Sequence, residues 1–212
     1  MANRVTGTKT TTKTTKPRPS ARARSETARD AIALLKADHR EVERLFAEFE
    51  KAGDTAYKSK RRLVDQMVVH LSQHAAIEEE VLYPTARDEI KSSVDDVLEA
   101  LEEHHVVKWA LQELLDLDPR NERFHPKVTV MAENVRHHVR EEESELFPLL
   151  RAHLGRKRLM ELGEALERAK RAAPKRPHPR LPDEPPGNLL PGAISGIVDK
   201  AHDIVKSVRP EA

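Results

Sequence analysis

Apolar residues along this 212-residue chain recur at intervals of three and four over most of its length, with no stretch of period-two alternation. The first such stripe begins after Asp30 with Ile32, Leu35, His39, Val42, Phe46 and Phe49, and Gly53 stops it. Asp54 or Thr55 is placed to cap a second helix, with Leu63, Met67, His70 or Leu71, His74, Glu78 and Val81 on one face until Pro84 breaks or kinks it. A third stripe starts near Ser92 or Ser93 and runs Val94, Val97, Leu101, His104, Leu111, Leu115, ending by Pro119. Pro126 suits the first position of a fourth, which carries Val128, Met131, Val135, His138, Glu142 and Leu146 or Leu149. After Gly155, the positions Leu159, Leu162, Leu166 and Ala169 predict a shorter fifth helix.

Four long amphipathic segments with short connections predict an all-α fold: an antiparallel up-down-up-down four-helix bundle built from two helical hairpins, about residues 29–90 and 93–154. The bundle with its extra helix is expected over residues 29–172. Residues 1–28 read as a disordered basic tail and 173–191 as a Pro-rich linker. Residues 192–212 read as a short amphipathic helix, with Ile194, Ile197, Ala201, Ile204 and Val208 at helical spacing, or as a disordered tail.

Composition narrows the chemistry. The absence of Cys excludes disulfides, thiolate metal sites and cysteine nucleophiles. No apolar run approaches the ~20 residues of a membrane span, and the N-terminus lacks an apolar signal core. The cytoplasm is the default expectation. The net charge of +1 conceals a segregation: residues 1–24 carry seven basic and no acidic side chains, whereas residues 25–173 carry 24 basic and 31 acidic ones. Such an arm suits contact with nucleic acid or an anionic surface, and equally suits screening of its own acidic body.

The chemistry sits in a repeat. His74-Ala75-Ala76-Ile77-Glu78 leads into Val81-Leu82-Tyr83-Pro84, and 64 residues later His138-Val139-Arg140-Glu141-Glu142 leads into Glu145-Leu146-Phe147-Pro148. A His and a Glu four apart share one helix face. One such pair is commonplace on exposed helices. Two in register, with His39 and His104 on the partner helices, place six polar groups where the periodicity wants apolar ones. Unpaired, two carboxylates in a core would each cost several kcal/mol. Metal ions satisfy His39, His74, Glu78, His104, His138 and Glu142 together, and the ligand types suit iron, manganese or zinc. Three further residues are weaker candidates as ligands or as partners of ligands. His70 lies one turn before His74, His105 beside His104, and Lys108 one turn after it. His104 is favoured over His105 because it shares a stripe with Leu101, Leu111 and Leu115. Glu79, Glu80, Glu141, Glu143 and Glu145 read as a solvated acidic face.

At Asp38-His39, His74-x-x-x-Glu78, Glu103-His104-His105 and His138-x-x-x-Glu142, the chain resembles the hemerythrin-like family of HHE cation-binding domains. The resemblance implies two non-haem iron ions with an oxo or hydroxo bridge, Glu78 and Glu142 bridging and the four His terminal. Oxygen-carrying members have a further His one turn after the third-helix ligand, where this chain has Lys108 or Trp109. That departure turns the expectation from oxygen carriage towards hydrogen peroxide, in a catalase-like reaction, or towards NO or O2. A sensor or carrier acting through the tails is the other expectation.

Overall fold

A computed structural model describes residues 29–185. Helix α1 spans Ala31–Lys51 and α2 Tyr57–Ile77, the latter continuing through a π-helical turn at Glu78–Leu82 into α3 at Tyr83–Glu89. A 3-10 turn at Lys91–Ser93 leads to α4, Val94–Asp116. Then α5, Phe124–Glu141, continues through a second π-helical turn at Glu142–Leu146 into α6, Phe147–Ala172. The described residues contain no strand. Asp30 caps α1, its Oδ1 accepting from the Ala33 N–H at 2.7 Å. Neither Asp54 nor Thr55 caps α2, which starts at Tyr57 without a side-chain cap, and Pro126 lies inside the first turn of α5 rather than at its first position.

Pro84 and Pro148 do not end their helices. Each sits just after a π-helical turn, whose extra residue widens the backbone where a proline ring would otherwise meet the carbonyl of the preceding turn. The break falls at Gly155 instead, where φ is 64° and only glycine is unstrained. The fifth helix beyond it buries Leu159, Leu162, Leu166 and Ala169. There α6 meets the start of α1 so closely that a Cβ on Gly163 would lie 2.3 Å from the Arg29 carbonyl oxygen.

The bundle interior is two apolar clusters rather than one. The first joins Leu35, Ile77, Tyr83, Leu101, Phe147 and Leu162 with their neighbours. The second joins Phe46, Phe49, Met67, Leu111, Phe124 and Met131 with theirs. Each fully buried Leu or Phe contributes roughly 1.5–3 kcal/mol. Between the two clusters lies a layer of buried histidines and glutamates. Beyond α6, residues 173–185 run without helix against the bundle, with Pro177 and Pro179 buried. The expected N-terminal tail and C-terminal helix, and linker residues 186–191, fall outside the described residues. No helix among the described residues is long and apolar enough to cross a membrane.

Candidate metal centre

All six residues selected by spacing meet in the polar layer, each with 5% or less of its surface exposed. Their imidazoles form two pairs. The Nε2 atoms of His39 and His74 lie 3.2 Å apart, and those of His104 and His138 lie 3.1 Å apart. Each carboxylate spans both pairs. Glu78 Oε2 is 3.2 Å from His74 Nε2 and 3.5 Å from His104 Nε2. Glu142 Oε2 is 3.2 Å from His39 Nε2 and 3.6 Å from His138 Nε2. Donor atoms of His39, His74, Glu78 and Glu142 form one group, and those of Glu78, His104 and His138 another, all within 4.8 Å in each.

The outward nitrogens are turned to a ring of carboxylates. His39 Nδ1 donates to Glu143 Oε1 at 2.9 Å, His104 Nδ1 to Glu79 Oε1 at 3.0 Å, and His138 Nδ1 to Glu103 Oε2 at 2.8 Å. His74 Nδ1 faces Asp38 at 3.7 Å, beyond hydrogen-bond reach. Asp38 is one methylene shorter than Glu103 and is held instead by Lys170 at 2.5 Å. Giving the Nδ1 proton outward leaves the Nε2 lone pair facing in. Paired lone pairs about 3 Å apart, beside carboxylate oxygens with no hydrogen-bond partner (both of Glu78 and Oε2 of Glu142), call for cations between them. The donor set therefore fits a pair of metal ions.

Electrostatics of the metal-free layer point the same way. Burial, then the neighbouring Glu142, pushes the Glu78 carboxyl well above its usual range. Burial also works to raise Glu142, but His138 and His39 outweigh it and hold that carboxyl low. Burial brings His74 down to about 4 and, with the charge of His138, takes His104 well below its usual value. Two ionised carboxylates do not coexist here without positive charge.

The aromatic residues of the repeat support opposite halves. Tyr83 donates its hydroxyl to Glu142 Oε1 at 3.0 Å and packs on His104, with ring centroids 5.5 Å apart. Phe147 stacks on His39 at 5.7 Å. In an α-helix, Tyr83 would point about 140° away from Glu78. The π-helical turn brings residue i+5 back beneath residue i, as the Tyr83 N–H to Glu78 carbonyl bond shows.

The weaker candidates separate. His70 is half-buried, and neither of its ring nitrogens belongs to either donor group. His105 points away, its Nδ1 donating to Asp183 and its Nε2 accepting from Trp109 Nε1 at 3.1 Å. Lys108 is buried, but its Nζ binds Glu79 and Asp183, each at 2.7 Å. Lys108 also lines a small cavity beside the four histidines, with its ammonium committed to the two carboxylates. Glu79 and Glu143 are not a solvated face. Glu79 is 3% exposed, and burial raises its carboxyl to about 7 against the opposing pull of Lys108. Their matched positions, each one residue after a repeated Glu, were the available signal.

On the Nε2 side, a cavity of about 30 Å³ lies between the four histidines and the second apolar cluster, walled by Val42, Leu71, Val107, Leu111, Val135 and Val139. That is the space of a water-sized molecule.

Fold and donor set together define a helical bundle with an internal His–carboxylate layer suited to cations. The chain belongs to the hemerythrin family, whose HHE cation binding domain profile matches residues 30–150. An uncharacterized hemerythrin-like protein of Schizosaccharomyces pombe is 27% identical over 170 residues, covering 80% of this chain and 83% of that one. A DNA nickase of Nostoc sp. is 32% identical over 121 residues, 57% of this chain and only 33% of the nickase. The crystal structure of a hemerythrin HHE cation binding domain-containing protein from Mycobacterium kansasii aligns with a TM-score of 0.58 over 68% of this chain and 86% of that one, at 22% identity. It supports the fold.

Proposed function

We propose that His39, His74, Glu78, His104, His138 and Glu142 hold two non-haem iron ions, with Glu78 and Glu142 spanning the pair, and that the centre turns over hydrogen peroxide. The observation that carries this is that each carboxylate touches one histidine of each converging Nε2 pair. Iron so held supplies Lewis-acid and one-electron redox chemistry. The chain's own residues do the rest. Glu79, Glu103 and Glu143 orient the imidazoles of His104, His138 and His39, and Tyr83 fixes Glu142 through its hydroxyl. The small apolar chamber admits peroxide, O2 or NO and excludes larger substrates. Lys108 is held by its two carboxylate partners, Glu79 and Asp183, and is not one of the residues that would hold the metal.

Metal content and near-ultraviolet absorption test the cofactor: two irons per chain are expected. Added hydrogen peroxide should release O2 steadily from the iron-loaded protein, and His74→Ala should abolish this. Two bound irons with no gas release would leave the second reading, a sensor. That reading is favoured by the continuous chain His104–Glu79–Lys108–Asp183, which joins the centre to the segment after the bundle. In both readings the protein acts without crossing a membrane, in the cytoplasm.

A further inference from the structure

Besides the closed apolar chamber, two openings reach residues of the donor layer, and they differ in charge. A broad groove of about 690 Å³ between α1 and α5 touches His39 and carries Arg40, Arg136 and Arg140 against Glu43 and Glu143, over an apolar floor of Val42, Phe46 and Val139. A narrower pocket of about 50 Å³ lies between α4 and the second π-helical turn. Its walls carry Asp96, Glu99, Glu103, Glu141 and Glu145, and His138 and Glu142 line it too.

The acidic pocket is uncompensated. Among the described residues, no lysine or arginine lies within ion-pair distance of any of its five wall carboxylates. Donor atoms of Glu103, His137 and Glu141 lie within 4.8 Å of one another, His137 Nε2 being 3.2 Å from Glu141 Oε1. Glu103 joins the two levels: its Oε2 accepts from His138 Nδ1, while Oε1 lies 3.8 Å from His137 Nε2. At the inner end is Glu142, 2% exposed, with an oxygen that has no hydrogen-bond partner. Exposed donors outside, a graded series of carboxylates and an unmet buried carboxylate inside make a path of one sign for a cation. The groove on the His39 side mixes three arginines with Glu43 and Glu143 and offers no such single-sign path.

We infer that this pocket is the port through which a divalent cation reaches the centre, with Glu103, His137 and Glu141 as an outer station that binds the ion before it passes to His138 and Glu142. The inference rests on the reading that the inner six residues hold metal. The rim carboxylates act by raising the local cation concentration, an effect worth roughly 10- to 1000-fold in association rate at low salt.

Stopped-flow uptake of Co2+ by the metal-free full-length chain, followed by cobalt absorption, tests it. Asp96→Asn/Glu99→Gln/Glu145→Gln, three rim changes outside the inner layer, should slow uptake about tenfold at low ionic strength and leave the final cobalt content unchanged. Glu141→Gln should slow it as well. Removing the same charge elsewhere, in Glu41→Gln/Glu48→Gln/Glu50→Gln, should have little effect. Full uptake at an unchanged rate in the rim variant, or equal slowing in the control, overturns the port and leaves the centre standing. A wild-type chain that takes up no Co2+ overturns both.

Discussion

The two halves of the centre are built from the same repeat, yet the carboxylate behind His104 is enclosed and its equivalent behind His39 borders solvent. On the His104 side, Glu79 is 3% exposed and shares Lys108 with Asp183, which comes from the segment packed over the bundle. On the His39 side, the equivalent Glu143 has a side chain 32% exposed and pairs with Lys36 at the surface. The aromatic residues differ too: Tyr83 gives a hydroxyl to Glu142, whereas Phe147 gives nothing to Glu78, whose two oxygens have no partner. A duplicated ligand frame therefore does not dictate a duplicated environment. Side chains one residue away from the ligands decide which half is enclosed.

The sharpest way to break this contrast is to remove the paired acids. Glu79→Ala leaves Lys108 with Asp183 alone and strands the buried His104 N–H, and should cost the metal-free protein about 3 kcal/mol in urea unfolding. Glu143→Ala, at the wetter site, should cost under about 1 kcal/mol. Equal losses would mean that enclosure is not what separates the halves. Next in size, Tyr83→Phe should cost about 1.5–3 kcal/mol by removing a hydrogen bond to a charged group. The converse Phe147→Tyr offers Glu78 the donor that it lacks and should stabilise the metal-free protein by about 1 kcal/mol. A destabilised Phe147→Tyr would show that the second half has no room for the hydroxyl. Smallest in stability is Asp183→Ala, which should change unfolding by about 1 kcal/mol or less. It should speed trypsin cleavage after Arg180 several-fold. An unchanged cleavage rate would mean that Asp183 does not hold the segment down.

Helix periodicity carried the bundle because its stripes are long, and the later stop, Gly155, is a single residue with a clear backbone reason. The six converging residues were legible because each interrupts an apolar stripe, and Leu101 and Leu111 set the register that puts His104 inside. The ring around them was hidden. Counting about 100° per residue turns Glu79 and Glu143 away from the ligand face, and the count fails at a π-helical turn. The tell was Tyr83 and Phe147, each five residues after a repeated Glu rather than four. Proline content marks residues 173–191 as a linker, but composition does not record that Asp183 finds a buried lysine 75 residues earlier in the chain.

The π-helical turns also set the phase of the molecule at two places. Each holds one residue more than a regular helix needs, so each resets the phase between the stretch that presents the ligands and the stretch that follows. Deleting one residue there would keep Tyr83 in phase, four after Glu78, whereas winding Glu78–Leu82 into an ordinary helix with its residue count unchanged would rotate everything up to Glu89 by about 100°. Tyr83 and Ala86 would turn out of the first apolar cluster while Leu63, Met67 and the second cluster stayed in place. The irregularity works as a coupling between two shafts set at different angles. The polar layer is where they join, so either apolar end can be redrawn without retiming the other.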